Sequence, residues 1–216
     1  MDDETIKKAL SELKKSEKKN FKQTVDFIIN LRGLDLKKPE HQIEFFLELP
    51  RYKGKKSKIC ALVGAELADQ AKEHMDNVIL QPQFANYEQD KKITKKLASE
   101  YDFFVAQANI MPKIATSFGR VLGPKGKMPN PKSGCIVPPN ANLKNVYDKL
   151  QKTVKLSGKK AALIQTFVGN QESKDEELID NIKTVYNNLV HHLPNGEYNV
   201  KSAYVKYTMG KPVKVI

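Results

Sequence analysis

At 216 residues, with 40% hydrophobic and 29% charged side chains, the chain is long enough to bury one large core or two small ones. The 37 Lys and Arg against 25 Asp and Glu give a net charge of +12, which favours a polyanionic partner such as RNA or DNA. There is no apolar run of about 18 residues, no signal-peptide core at the N-terminus, and only Cys60 and Cys135. A membrane partner, a disulfide framework and a cysteine metal cluster are therefore excluded, and the expected setting is the cytoplasm.

Residues 4–18 read as an amphipathic helix, with Ile6, Leu10 and Leu13 at helical spacing. From Thr24 to Arg32 the pattern alternates, placing Val25, Phe27, Ile29 and Leu31 on one face of a strand. A second strand is expected over Ile43–Leu49, and the polar stretch Arg51–Ser57 is a candidate boundary. The rhythm then changes. Short apolar strands at Ile59–Val63, Asn77–Leu80, Tyr101–Ala106 and Gly134–Val137 alternate with helices near Ala65, over 88–99 and from Asn142. That order predicts a parallel sheet with helices on its faces. Beyond a connection at Lys155–Lys160, a strand over Ala161–Val168 leads to a helix ending near His192. Ser173 and Glu176 stand at capping-box spacing before it. A turn at Pro194–Gly196 precedes the last strand, Tyr198–Thr208. The two chain ends are each too small to close a core, so they are expected to pair, with the α/β block inserted between them.

Between Phe103 and Tyr147 there is no acid, while Lys113, Arg120, Lys125, Lys127, Lys132 and Lys144 are present. Inside this stretch Gly119–Gly134 reads as a rigid cationic loop, suited to a polyanion or to packing as a basic turn. A phosphate-binding loop fails here: Gly126-Lys127 is followed by Met128 rather than Ser or Thr, and Val121 holds the first glycine position. Histidine is limited to His41, His74, His191 and His192, with no metal-ligand spacing, and Cys60 lies in an apolar strand. Neither cofactor nor metal is expected, and the chain does not read as an enzyme. The C-terminal stretch from Lys201 also lacks acids. Strand periodicity places Ser202, Tyr204, Lys206 and Thr208 on one face, which suits hydrogen bonding to RNA or a wetted edge strand.

GRVLGPKGKMPNPKSG at 119–134 and Thr208-Met-Gly210 closely resemble the L-one family of large-subunit ribosomal proteins, which forms the mobile stalk beside the tRNA exit site. The resemblance runs over nearly the whole chain, and the abundance of Lys without terminal extensions is closer to archaeal members. It implies an α/β (α+β) protein of two domains. Domain I, residues 1–56 and 155–216, would be a split β-α-β sandwich that binds rRNA. Domain II, residues 57–154, would be an inserted three-layer, Rossmann-like α/β domain, with a hinge near Arg51–Ser57 and Val154–Lys160. The partners it implies are the stalk region of large-subunit rRNA, the protein's own mRNA as a repression target, and exit-site tRNA, with the protein monomeric off the ribosome. By motif, the RNA-binding positions would be Phe21, Lys22, Thr24, Ser202, Thr208, Met209 and Gly210. Asn20 stands where the bacterial pattern has Lys, so that contact would be either lost or moved to Lys19 or Lys22. Arg120, Lys125, Lys127 and Lys132 would be a secondary RNA or interdomain loop. Two rivals remain: a translational regulator acting off the ribosome, and a nucleotide-dependent α/β enzyme.

Overall fold

The computed structural model describes residues 2–15, 19–159 and 161–216. The chain divides into two compact units, Met1–Lys55 with Lys152–Ile216, and Lys56–Gln151. Among the described residues the elements open with α1 (Asp3–Lys14), β1 (Thr24–Leu31) and β2 (Glu44–Glu48). The second unit follows as β3 (Ile59–Val63), α2 (Ala68–His74), β4 (Asn77–Leu80), α3 (Phe84–Gln89), α4 (Lys91–Glu100), β5 (Phe103–Gln107), α5 (Met111–Leu122), β6 (Ile136–Val137) and α6 (Leu143–Lys152). The chain then returns as β7 (Thr153–Ser157), β8 (Leu163–Asn170), α7 (Asp175–His192), β9 (Val200–Tyr207) and β10 (Val213–Lys214).

The first unit is a four-stranded sheet in the order β10-β9-β1-β8, with β1 antiparallel to both β8 and β9. Because α7 links β8 to β9 while β1 lies between them, this is a split β-α-β arrangement. The alternation along β1 is observed: Val25, Phe27 and Ile29 are fully buried, and Leu31 is buried, with α1 and α7 supplying Ile6, Leu10, Leu13, Ile182, Val185 and Leu189 to the same core. α1 ends at Lys14, and residues 16–18 of the expected helix lie outside the described residues. Two bulges adjust the sheet. One leaves Lys201 as the extra residue between Asn30↔Ser202 and Leu31↔Val200, so Lys201 is exposed while Val200 stays inside.

Two expectations fail here. The stretch after residue 152 is not a connection: Thr153–Ser157 is a strand, antiparallel to β2, because Val154 and Leu156 alternate into the core while Lys155 and Ser157 face out. Lys160, at the end of that expected connection, lies outside the described residues. The capping box is not formed either. Ser173 Oγ donates to Asn170 Oδ1 at 3.0 Å and accepts from Asn170 N at 3.1 Å, closing the turn after β8. Lys174 takes the cap position, and Asp175, Glu176 and Glu177 complement the dipole of α7 instead.

The second unit is a parallel sheet in the order β4-β3-β5-β6. β3 is buried on both faces. Ile59, Ala61 and Val63 meet Ala71 of α2 and Leu143 and Leu150 of α6. Cys60 and Leu62 meet Phe84, Leu97, Ile114 and Phe118 of α3, α4 and α5. The result is three layers, helices on both sides of the sheet. Desolvation pushes the Cys60 thiol up to about 12 and the Cys135 thiol to about 11, so both act as small apolar side chains. The sequence reading missed α5, and Gly119, Arg120, Val121 and Leu122 belong to this helix rather than to a loop. The Gly, Pro and Lys of the following motif masked an apolar period at Ile114, Phe118 and Val121.

Candidate nucleic-acid interface

β1 and β9 run antiparallel, so the start of β1 and the end of β9 meet at one edge of the first unit. Thr208 N donates to Thr24 O at 3.2 Å, extending the ladder by one rung. The hydroxyls of Thr24 and Thr208 lie 2.8 Å apart, although 184 residues separate them in sequence. Beside them Gln23, only 2% exposed, accepts Met209 N through its side chain at 3.1 Å and Gln171 N through its main chain at 2.9 Å. That pins the turn at Met209, which is 67% exposed. Gly210 N closes the turn on Tyr207 O at 2.9 Å, and a Cβ at Gly210 would crowd Tyr207 at 3.2 Å. Phe21 is 52% exposed. Lys22 pairs with Glu172 at 3.0 Å on the surface.

Clefts flank this ridge. One, of about 520 Å³, runs between Glu12, Lys15, Lys19, Gln23, Met209 and Lys211. Another, of about 710 Å³, is lined by Lys14, Asn20, Phe21, Lys22, Glu172 and Tyr207 among others. The structure therefore brings Phe21, Lys22, Thr24, Thr208, Met209 and Gly210 to one edge. Ser202 is not with them. It pairs with Asn30, six residues along β1 from Thr24, hence roughly 20 Å away at strand rise. It is 7% exposed and accepts Asn30 Nδ2 at 3.0 Å.

The sheet face away from α1 and α7 joins these two points. Across it run Asp26 opposite Lys206, Ile28 opposite Tyr204, and Asn30 opposite Ser202, with Phe167 and Gln165 continuing on β8 and Lys214 on β10. The positive residues Lys206 and Lys214 and the aromatic Tyr204 suit contact with nucleic acid. Gln23 and Asp26 were absent from the candidate residues read from the sequence, whereas strand periodicity had already placed Lys206 on the hydrogen-bonding face of the last strand. The alternation that marked Thr24 also placed Asp26 on its face, so that signal was available.

The cationic motif behaves differently. Lys125 Nζ donates to Lys95 O at 3.3 Å and Ser99 Oγ at 2.7 Å, and Lys127 Nζ donates to Tyr101 O at 2.7 Å. These ammonium groups tie the motif to the C-terminal half of α4 and to Tyr101, which caps it. Arg120 sits exposed in the last turn of α5, and Lys132 is exposed in a turn that the Asn130 side chain closes on Lys132 N at 2.9 Å. Gly126 and Gly134, at φ of +64° and +72°, supply its left-handed positions. In the same unit, the crevice between the ends of β3 and β5 is filled by Gln107, which accepts Gly64 N at 2.9 Å and donates to Glu66 at 2.7 Å. A carboxylate there opposes a nucleotide phosphate, which disfavours the nucleotide-enzyme rival.

The family model described as the Ribosomal protein L1p/L10e family matches residues 13–211. The chain belongs to that family. It is 43% identical to the large ribosomal subunit protein uL1 of Methanothermococcus thermolithotrophicus, with 100% of this chain and 99% of that protein covered. Identity to the uL1 proteins of Methanocaldococcus jannaschii and Pyrococcus abyssi is 39% and 38%, covering 100% and 99% of this chain and 96% of each of theirs. The L1p/L10e assignment agrees with the archaeal-type resemblance of the central and C-terminal motifs and with the two-layer and three-layer units described above. These L1 relatives are named as ribosomal proteins, and the chain is not an enzyme. No described helix is long and apolar enough to cross a membrane.

Proposed function

We propose that this chain is a constituent of the large ribosomal subunit that binds large-subunit rRNA through its first unit. The observation carrying the reading is the Thr24–Thr208 hydroxyl pair at 2.8 Å, flanked by exposed Phe21 and Met209 on a protein of net charge +12. Hydroxyls can read the 2′-OH that separates RNA from DNA, an exposed Phe can stack on a base, and surface lysines add affinity with little specificity. More finely, the RNA is the stalk region, the protein assists release of deacylated tRNA from the exit site, and it represses translation of its own mRNA. Arg120 and Lys132 are the members of the central motif left to a secondary RNA contact.

The test is binding of wild type and Thr208→Val to a stalk-rRNA fragment and to a scrambled RNA of equal length, across a salt series. A preference for the stalk fragment that persists at raised salt, weakened roughly fivefold by loss of one hydrogen bond, is expected. Equal binding to both RNAs with a steep salt dependence overturns the reading. Two further assays test the finer roles: retention of deacylated tRNA by ribosomes lacking the protein, and translation of a reporter carrying its mRNA leader. Unchanged tRNA release, or unrepressed reporter translation, removes the corresponding role.

A further inference from the structure

We propose that Asp26 is a specificity-determining residue of the RNA-binding face, its carboxylate accepting a hydrogen bond from an O–H or N–H donor of the RNA. This rests on the rRNA-binding reading above. Asp26 lies two residues from Thr24 on the outer face of β1, between Lys206 of β9 and Phe167 of β8. The second bulge of the sheet falls at this point. Asp26 pairs with Phe167 and Val25 with Gly169, leaving Val168 as the extra residue on β8. Such bulges re-aim side chains and gather beside functional sites. Asp26 Oδ1 stands 3.5 Å from Thr24 Oγ1, a long contact, and Oδ2 has no hydrogen-bond partner among the described residues. The carboxylate thus has accepting capacity to spare, one step from the hydroxyl pair.

An acid at this place carries two disadvantages. It repels phosphate on a surface otherwise suited to a polyanion. It is also half-buried, and desolvation raises its pKa by more than the opposing pull of Lys206. The groups facing it are Lys206 and Tyr204 from β9 and, over the Phe167 ring at 5.9 Å, the buried Lys53. None of these is an acid that would compete for a donor. What a carboxylate does better than Asn, Ser or Thr is accept, at two oxygens and without a proton of its own. RNA offers such donors in its 2′-hydroxyls and in the N–H groups of unpaired bases, above all the Watson–Crick edge of guanine. Its phosphates offer none. Asp26 therefore excludes phosphate from this point and admits a sugar or base edge.

The experiment compares wild type and Asp26→Asn on the stalk-rRNA fragment and on scrambled RNA of equal length, with thermal unfolding as the check on folding. The expected result is a loss of roughly tenfold or more on the stalk fragment, with equal or tighter binding to scrambled RNA and an unfolding midpoint no lower than wild type. Tighter or unchanged binding to both RNAs overturns the proposal, because Asp26 would then be only the cross-strand partner of Lys206. If wild type itself fails to prefer the stalk fragment, the rRNA-binding reading falls and the proposal with it. Two modified fragments separate the donor sources, one 2′-deoxy and one with inosine for guanosine at unpaired positions. The fragment on which Asp26→Asn no longer weakens binding identifies the donor as sugar hydroxyl or guanine amino group.

Discussion

Thr208 and Lys127 show how two residues of similar prominence in the sequence come to different tasks. Thr208 stands at the end of β9 with its hydroxyl at the surface, held by Thr24 on one side and accessible on the other. Replacing it with Val removes a hydrogen bond without changing the shape of the edge. The stalk-RNA loss is therefore expected without a loss of folding stability beyond about 1 kcal/mol. Lys127 points inward, its ammonium satisfying Tyr101 O at 2.7 Å. Lys127→Met is expected to destabilise the second unit by about 1–3 kcal/mol, because it leaves that carbonyl without its charged donor. Specific rRNA affinity should stay within twofold. A thermal melt monitored alongside a binding curve checks both, and a large affinity loss with an unchanged midpoint would return Lys127 to an RNA role.

At the scale of elements, the β2–β7 ladder depends on charge as well as on backbone pairing. Glu44 begins β2 and pairs with Lys155 at 2.8 Å and with Lys159. Hydrogen bonds from these two ammonium groups hold its carboxyl below the ordinary value of 4.5. A depressed folded pKa means stability that is present above the unfolded pKa and lost as pH falls through the folded one. Glu44→Gln is thus expected to lower folding stability at neutral pH, by no more than about 1 kcal/mol for so exposed a pair. The gap to wild type should close as pH falls below the ordinary value of 4.5 and through the lower folded one, which a melt series over pH checks. Asp26 on β1 has the opposite sign: its raised pKa makes its contribution greatest at low pH and smaller as pH rises, so the Asn variant should not lose stability at pH 7. The segment leading out of β2 is tightly placed. Gly54, at φ of +90°, stands where a Cβ would meet the Gly169 backbone at 2.1 Å, so Gly54→Ala is expected to cost several kcal/mol by melt and to disturb the end of β8.

On the scale of the whole molecule, each unit has its own core. Residues Met1–Lys55 and Lys152–Ile216 are therefore expected to keep most stalk-rRNA affinity when residues 56–151 are replaced by a short linker. Retained circular dichroism with lost specific binding would put the RNA site elsewhere. Hydrophobic period alone placed β1, β3 and β4 to within a residue at their boundaries, because Val25, Phe27, Ile29 and Leu31 alternate and Ile59–Val63 is continuously apolar. It also separated the inserted α/β rhythm from the two chain ends. Period failed where composition masked it, at α5 behind the Gly-Pro-Lys motif and at β7 behind Lys155, Ser157 and Lys159. Motif similarity named Thr24 and Thr208 but not their contact, since an interaction between residues 184 apart depends on the β1–β9 register. The same register parted Ser202 from them and set Asp26 against Lys206 beside a bulge. What the sequence by itself determined was which residues alternate, which segments are apolar and how much positive charge the chain carries, all of them local or additive properties. Only the tertiary structure decided which lysines are spent on carbonyls and which hydroxyls meet, because those depend on pairing between distant strands and helices.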